Sequence, residues 1–290
     1  MRAAAAAALA CVLAVGSEAA RAEVLPGLLI GPTWLLAHRS EVHVLDARPA
    51  AAYAAGHLPG AASLPEARLH AEADPARLPG LMRLQALLEA AGVRAGRPVV
   101  VYDDGSLKDA ARLLWVLELL GHPEVAVLAG GVAGWVAAGG PLERGNTRPP
   151  RGRFVPALRP ERIVTHVEVR LALDDPTVLV VDARPPEAYE GLVSSGPRAG
   201  HIPGAINVPY RAHLDADGRL RDRAGLRRLY GEHLRGVRRV YVYCDRGRES
   251  AVAYLALRLL GAEAAVYHGG WEDWSRTPGL PVAGGQEAEP

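Results

Sequence analysis

The fold of this 290-residue chain is decided by a stretch that occurs twice: VHVLDAR at residues 42–48 followed by GHLPGA at 56–61, and LVVDAR at 179–184 followed by GHIPGA at 200–205. In both copies an aliphatic run ends in Asp-Ala-Arg, and a Gly-His-x-Pro-Gly-Ala turn follows. Matching positions are 136 residues apart at the aspartate and 144 residues apart at the turn. Self-similarity over such a long period indicates an internal duplication.

Two later landmarks repeat in the same order. Aliphatic runs end in Tyr102-Asp103 in the first copy and in Tyr243-Cys244 in the second, and Gly-Gly turns precede Trp135 and Trp274. Four landmarks in a common order exclude a chance similarity and predict two homologous domains. A cysteine therefore stands in the second copy where the first copy has an aspartate.

Each copy alternates short β-branched runs with helical patterns, which predicts strand–helix units on a parallel sheet. The predicted strands are 42–46, 99–102 and 125–128 in the first copy, and 178–181, 240–243 and 264–267 in the second. The predicted helices are 81–91 and 109–120, then 226–234 and 250–260. The predicted fold class is α/β, with two tandem domains, each a parallel β-sheet flanked by helices.

The first residues are expected to lie outside the fold. An apolar run from Ala3 to Val15 precedes Ala20-Arg21-Ala22, which has the small-x-small pattern of a cleavage site. Residues 1–22 are therefore predicted to be a secretory signal peptide, and the mature protein to be periplasmic or secreted, with no membrane anchor after cleavage. The predicted domains are 23–143 and 161–284, with an Arg-, Pro- and Gly-rich linker at 144–160 and a tail at 285–290.

Charge and cysteine content narrow the possible functions. The formal net charge is +1, so no general positive field is available to recruit nucleic acid or an anionic membrane. The Cys and His residues show no spacing typical of a metal site, and neither a metal nor a cofactor is expected. Of the two cysteines, Cys11 leaves with the predicted leader. Cys244 is then the only thiol of the mature protein, and a reactive thiol becomes the working hypothesis.

The segment CDRGRE at residues 244–249 carries the predicted chemistry. It follows a predicted strand and precedes a predicted helix, and ligands bind at the carboxyl ends of strands in an open α/β sheet. A short loop there turns backbone N–H groups toward an anion and is expected to lower the pKa of the thiol. The predicted site has Cys244 as the nucleophile, with Asp245, Arg246, Gly247, Arg248 and Glu249 around the substrate.

A thiolate in such a loop suits sulfur transfer through a persulfide. The thiolate would attack the sulfane sulfur of a small anionic donor, and the loop would hold the negative charge of the Cys244 persulfide. A small-molecule or protein thiol, or cyanide, would then accept the outer sulfur. Two half-reactions that share a covalent intermediate predict ping-pong kinetics.

These motifs together resemble the tandem-domain rhodanese family, the thiosulfate and mercaptopyruvate sulfurtransferases, over nearly the whole mature chain. The resemblance implies a catalytic second domain and an inactive first domain, because Asp103 occupies the cysteine's place. The mercaptopyruvate branch has a serine where this chain has Arg246, so the basic loop implies thiosulfate as the donor. Glu249 departs from the thiosulfate branch, and Ala188 replaces a family arginine, for which Arg198 is expected to compensate in binding substrate.

Three alternatives are open. The donor could be 3-mercaptopyruvate, or Cys244 could carry a persulfide without turnover. A protein phosphatase also uses a cysteine in an anion-binding loop, but it needs an arginine six places on, where this chain has Ser250.

His57 and His201 are predicted to brace their turns, with an orientation of His57 toward the interdomain cleft as the alternative. The two Asp-x-Arg pairs are predicted to be internal braces.

Overall fold

The computed structural model describes residues 24–74 and 76–284. The predicted signal peptide (residues 1–22) and the predicted tail (residues 285–290) lie outside the described residues. Within these ranges no helix is long and apolar enough to cross a membrane. The described chain forms two α/β domains of the same architecture, each built on a five-stranded parallel sheet. The predicted fold class is confirmed.

The first domain builds its sheet in the order β1-β5-β4-β2-β3. Its strands are β1 (Leu29–Ile30), β2 (His43–Asp46), β3 (Ala62–Ser63), β4 (Val99–Tyr102) and β5 (Val125–Leu128). Its helices are α1 (Pro32–His38), α2 (Ala50–Ala55), α3 (Leu81–Ala90), α4 (Lys108–Leu119) and α5 (Gly131–Ala137), and a 3-10 helix spans Glu66–Leu69.

The second domain repeats this topology in the order β6-β10-β9-β7-β8. Its strands are β6 (Ile163–Val164), β7 (Val178–Asp182), β8 (Ile206–Asn207), β9 (Arg239–Tyr243) and β10 (Ala264–Tyr267). Its helices are α6 (His166–Ala172), α7 (Pro186–Tyr189), α8 (Arg223–Tyr230), α9 (Ser250–Leu260) and α10 (Gly270–Arg276). Further 3-10 helices span Pro160–Arg162, Tyr210–His213 and Gly231–Leu234.

The Asp-x-Arg pairs act as braces, as predicted. In the second domain the Arg184 guanidinium donates to both carboxylate oxygens of Asp182 and, at 2.8 Å, to the carbonyl of Gly200. Arg48 makes the equivalent bonds in the first domain. Each arginine thereby ties the end of a central strand to the Gly-His-x-Pro-Gly turn, which explains why the two motifs occur together.

The two domains share one continuous apolar core, because α4 and α9 pack against each other. Polar contacts complete this interface. Glu118 of α4 accepts hydrogen bonds from the Tyr254 hydroxyl at 2.5 Å and from Arg258 at 3.1 Å, and the Trp115 indole donates to the carbonyl of Arg162 at 2.8 Å. The two equivalent loops lead directly into α4 and α9. The packing of these two helices therefore brings the loops of both domains close together.

Candidate active site

Cys244 lies at the carboxyl end of β9 and immediately before the loop that leads into α9. Its side chain is only 2% exposed, and its sulfur accepts a hydrogen bond of 3.1 Å from the backbone N–H of Gly247. Gly247 has a φ of +82°, and a Cβ there would crowd His268 and Arg112. The loop can therefore curl around the sulfur only with glycine at this position.

Burial raises the pKa of the Cys244 thiol above its ordinary value, and the negative charges of Glu249 and Asp245 raise it further. The backbone N–H and the hydroxyl of Ser250 act in the opposite direction, but burial outweighs them. The prediction that the loop lowers the thiol pKa is therefore wrong in its net direction. The hydrogen-bonding cradle exists, yet the sulfur loses more by leaving water than it gains from the loop.

Ser250 is a site residue that the sequence analysis treated only as the place of a missing arginine. It is the first residue of α9 and is fully buried. Its hydroxyl makes no hydrogen bond of regular geometry with any described group. The hydroxyl acts on Cys244, where it lowers the pKa of the thiol. A buried hydroxyl without another partner is available to stabilise a negative charge on sulfur.

Ser250→Ala is expected to slow persulfide formation about tenfold, because the hydroxyl that favours the ionised form of the sulfur is lost. It should also raise the pKa of Cys244 further, so the alkylation rate of Cys244 against pH should move to higher pH. In the parent protein that rate should rise with pH well above neutrality, since the thiolate is the reactive form and its pKa is raised. Ser275→Ala, which removes another buried hydroxyl of the second domain, is the control; an unchanged profile for Ser250→Ala contradicts the assignment.

The two loop arginines are each held by a carboxylate from another element. Arg246 pairs with the buried carboxylate of Glu272 in α10, and its side chain stays 51% exposed. Arg248 pairs at 2.6 Å with Asp109 in α4 of the first domain, and its side chain stays 46% exposed. Each arginine side chain therefore stays accessible to solvent and to a small anion. Neither Glu272 nor Asp109 belongs to a motif that the sequence analysis singled out.

The two loop carboxylates have different surroundings. Asp245 accepts a hydrogen bond of 2.5 Å from the hydroxyl of Ser195, which lies in the longer connection between α7 and β8. Glu249 is half-buried, and burial raises its pKa although Lys108 and Arg248 pull in the other direction. Both carboxylates lie close enough to Cys244 to disfavour its thiolate, which sets a limit on how strongly the loop attracts anions.

Arg198 does not lie in the site, contrary to prediction. Its guanidinium donates to backbone carbonyls of the segment 274–280, at 2.6 to 3.0 Å. Four of its five N–H groups are used in this way, on carbonyls of the last turn of α10 and of the segment that follows it. Arg198 is thus a brace for the C-terminal segment and cannot replace the missing arginine at Ala188.

The two turn histidines are braces, as predicted. His201 bonds through Nδ1 to the carbonyl of Tyr189 at 2.8 Å and stacks on the Tyr189 ring. His57 has the same relation to Tyr53, with a distance of 2.9 Å, and is fully buried. His57 therefore does not face the interdomain cleft.

The equivalent loop of the first domain is closed by its own side chain. The carboxylate of Asp103, which takes the place of the cysteine, accepts backbone N–H groups at 2.8 to 3.3 Å from Gly105, Leu107, Asp109 and Ala110. Burial raises the pKa of Asp103 to about 6, with the N–H donors acting against it. The carboxylate fills the space that an anion would occupy in this loop.

A group from the first domain completes the back of the Cys244 loop. The buried Arg112 of α4 donates to the carbonyl of Arg246 in the loop. It also pairs with Glu66 at 2.8 Å and lies beside the ring of His268. Burial and the charge of Arg112 hold the pKa of His268 well below its ordinary value, so the imidazole is neutral at pH 7. No sequence motif pointed to Arg112 or Glu66, which lie far from Cys244 in the chain. Across residues 24–74 and 76–284, no group of three or more His, Cys, Asp or Glu side chains is arranged to hold a metal ion.

Comparisons with known proteins agree with this geometry. The family model "Rhodanese-like domain" matches residues 31–138 and again 165–277. The 3-mercaptopyruvate sulfurtransferase of Escherichia coli K12 is 33% identical over 272 residues, which cover 87% of this chain and 96% of that protein. A thiosulfate sulfurtransferase of Pseudomonas aeruginosa is 33% identical over 248 residues, covering 83% of this chain and 91% of that protein.

A solved structure extends the likeness to three dimensions. The crystal structure of SseA from Escherichia coli, a 3-mercaptopyruvate sulfotransferase with the rhodanese fold, matches with a TM-score of 0.73 and 31% sequence identity. The match covers 84% of this chain and 99% of that chain. Both domains therefore have counterparts in one protein of known structure.

Proposed function

Because this chain belongs to the rhodanese family of sulfurtransferases, we propose that it transfers the sulfane sulfur of thiosulfate to a thiol or to cyanide through a persulfide on Cys244. The observation that carries the proposal is the position of the sulfur. It accepts the N–H of Gly247 at 3.1 Å in a loop that also carries two half-exposed arginines, Arg246 and Arg248. A nucleophile, a cradle for its charge and two groups that attract a dianion thus meet in one loop.

The reaction balances without a metal, an oxidant or a reductant. The Cys244 thiolate attacks the outer sulfur of thiosulfate, a new S–S bond forms on the enzyme, and sulfite leaves with the electron pair of the old S–S bond. The thiolate of the acceptor then attacks the outer sulfur of the persulfide, which returns Cys244 to its thiolate form and releases the acceptor persulfide. With cyanide as the acceptor, the product is thiocyanate.

The residues of the loop have separate tasks in these steps. The N–H of Gly247 and the N–H and hydroxyl of Ser250 lie beside the sulfur and stabilise its negative charge before transfer and that of the persulfide after it. Arg246 and Arg248 attract the donor and favour departure of the doubly charged sulfite. Their pairing with Glu272 and Asp109 limits how far either guanidinium can move while each arginine side chain stays about half exposed.

A donor with a single charge, 3-mercaptopyruvate, is the second candidate. Asp245 and Glu249 disfavour negative charge at Cys244, which reduces the advantage of a dianion. The Escherichia coli relative is named for this donor. Steady-state kinetics with both donors and cyanide decide between them by the ratio of the two kcat/KM values. A persulfide on Cys244 without turnover of either donor would instead indicate a sulfur carrier.

Arg246→Ala is expected to raise the KM for thiosulfate about tenfold and the KM for 3-mercaptopyruvate only about threefold, because the lost attraction scales with the charge of the donor. Arg276→Ala is the matched control, since Arg276 pairs with the same Glu272 at 3.4 Å but lies outside the loop. The measurement is the KM for each donor at constant ionic strength. Equal effects of Arg246→Ala on both donors would show that Arg246 only faces water.

We also propose that the mature protein is exported, on the signal-peptide pattern of residues 1–22. Cys244 would then be its only thiol, and the outer sulfur would have to leave to an external acceptor and not to a second cysteine. The N-terminal sequence of the protein purified from its native compartment tests this proposal. A mature chain that begins at Met1 would contradict it.

A further inference from the structure

The guanidinium of Arg112 is buried between the two domains, directly behind the Cys244 loop. Arg112 belongs to α4 of the first domain, and none of its side chain reaches solvent. Burying a guanidinium is costly unless its charge and its N–H groups find partners. The partners of Arg112 therefore indicate what the side chain is for.

Those partners come from both domains. Nε lies 2.8 Å from the Glu66 carboxylate of the first domain. Nη1 donates to the carbonyl of Arg246 at 3.1 Å, and the ring of His268 lies alongside, 3.4 and 3.5 Å from the two terminal nitrogens. Glu66 and the neutral His268 fix the position of the guanidinium, and the carbonyl of Arg246 is its contact with the catalytic loop.

The contact acts on a single peptide unit. The carbonyl that Arg112 holds and the N–H that points to the Cys244 sulfur at 3.1 Å are the two ends of the peptide between Arg246 and Gly247. A trans peptide is planar, with its C=O and N–H directed to opposite sides. Fixing the oxygen from the first domain therefore fixes the direction of the N–H. A charged donor on the oxygen also polarises the peptide and strengthens the hydrogen bond that its N–H gives.

We propose that Arg112 is a positioning residue of the sulfur-transfer site, which orients and polarises the Arg246–Gly247 peptide so that its N–H stabilises negative charge on the sulfur of Cys244. The first domain thereby supplies part of the cradle, although its own loop has no thiol. The inference rests on the proposed sulfur transfer at Cys244, but not on which donor supplies the sulfur.

The charges around the sulfur are consistent with this role. Asp245 and Glu249 of the loop itself oppose ionisation of Cys244. Burial lowers the pKa of Arg112, while Glu66 and the thiolate of Cys244 raise it, so the guanidinium and the sulfur attract each other.

Two substitutions and one control separate positioning from simple adhesion of the domains. Arg112→Met removes the charge and the donors at nearly constant volume. Arg112→Lys keeps the charge but cannot reach both Glu66 and the carbonyl of Arg246 in the same way. Glu118→Gln is the control, because Glu118 lies on the same helix and in the same interface but contacts Tyr254 and Arg258 instead of the loop.

The readouts are the alkylation rate of Cys244 as a function of pH, followed on the Cys244 peptide by mass spectrometry, and the single-turnover rate of persulfide formation with thiosulfate. Arg112→Met is expected to slow persulfide formation about 30-fold and to move the alkylation midpoint about one pH unit upward. Arg112→Lys should recover part of both effects, with about fivefold slower persulfide formation. Glu118→Gln should lower the melting temperature and leave both readouts unchanged.

The proposal is overturned if Arg112→Lys matches the parent protein in both readouts, or if Arg112→Met and Glu118→Gln differ only in melting temperature. Arg112→Lys decides the matter if Arg112→Met does not fold. The alkylation measurement needs no sulfur donor, so it tests Arg112 even if thiosulfate is not turned over. A failure of the thiosulfate assignment is therefore distinguishable from a failure of this inference.

Discussion

Cys244→Ser is expected to abolish sulfur transfer and to leave the fold intact. A serine oxygen cannot form a persulfide, and its hydroxyl is far too weakly acidic to act as the nucleophile at neutral pH. The loss of turnover should therefore be at least about 10⁴-fold, as for other residues that form the covalent intermediate. The substitution replaces sulfur by the smaller oxygen in a buried site. The free energy of unfolding should therefore fall by about 1 kcal/mol, which corresponds to a change of only a few degrees in the melting temperature.

Thiocyanate formation from thiosulfate and cyanide measures the turnover, and intact-mass spectrometry after incubation with thiosulfate detects the persulfide. Cys11→Ser in the full-length, uncleaved chain is the matched control, because Cys11 is the other cysteine of that chain and its substitution is expected to leave both readouts unchanged. Persulfide formation by the Cys244→Ser protein would show that the sulfur is carried elsewhere, and the proposed function would then fail.

Gly270→Ala is expected to have the second largest effect on activity. Gly270 has a φ of +58°, and a Cβ there would overlap the carbonyl oxygens of Cys244 and Asp245. The Cys244 carbonyl is also the acceptor of a hydrogen bond of 2.8 Å from the backbone N–H of the next residue, Trp271. The catalytic loop must move to admit the methyl group, and a displacement of this kind should cost about 10²-fold in turnover.

Gly131→Ala is the control for this substitution, because the duplication supplies the same geometry without the chemistry. Gly131 has a φ of +55°, and a Cβ there would overlap the backbone of Asp103 and Gly105 in the first domain's loop. The two variants should lose similar stability, about 3 kcal/mol each, as measured by chemical denaturation. Only Gly270→Ala should lose turnover out of proportion to stability. Equal losses of turnover in both variants would mean that the effect is global unfolding and not displacement of the Cys244 loop.

Long elements with a strong pattern could be predicted from the sequence. Helix α9 begins at Ser250 and ends at Leu260, as the apolar spacing predicts. The predicted helix 226–234 is divided, because Gly231 adopts a φ of +45° and ends α8 before a 3-10 turn begins. The two-residue strands at the sheet edges were not predicted, since two residues carry no period. Their place in the sheet is set by neighbouring strands and not by local sequence.

The position of Cys244 in a strand–loop–helix turn was predictable because that loop is local, whereas the surroundings of the loop were not. The residues that hold Arg246, Arg248 and the Arg246 carbonyl are Glu272, Asp109 and Arg112, which come from other elements and in two cases from the other domain. A sequence motif records spacing along the chain, whereas these contacts depend on how α4 and α9 pack. The predicted direction of the shift in the Cys244 pKa was wrong for a related reason. The N–H donors can be inferred from a loop, but burial is a property of the packed domain.

Asp109 is a second chemical difference between the two equivalent loops, besides Asp103. It occupies the same place after Asp103 as Ser250 does after Cys244, and its charge already bears on the Asp103 carboxylate. A cysteine introduced at position 103 would meet this carboxylate where the Cys244 loop has a neutral hydroxyl, and its thiolate would be disfavoured. Asp109 also holds Arg248 of the Cys244 loop at 2.6 Å, so replacing it would disturb that loop. One substitution at position 103 would therefore not make a second reactive centre of the first domain.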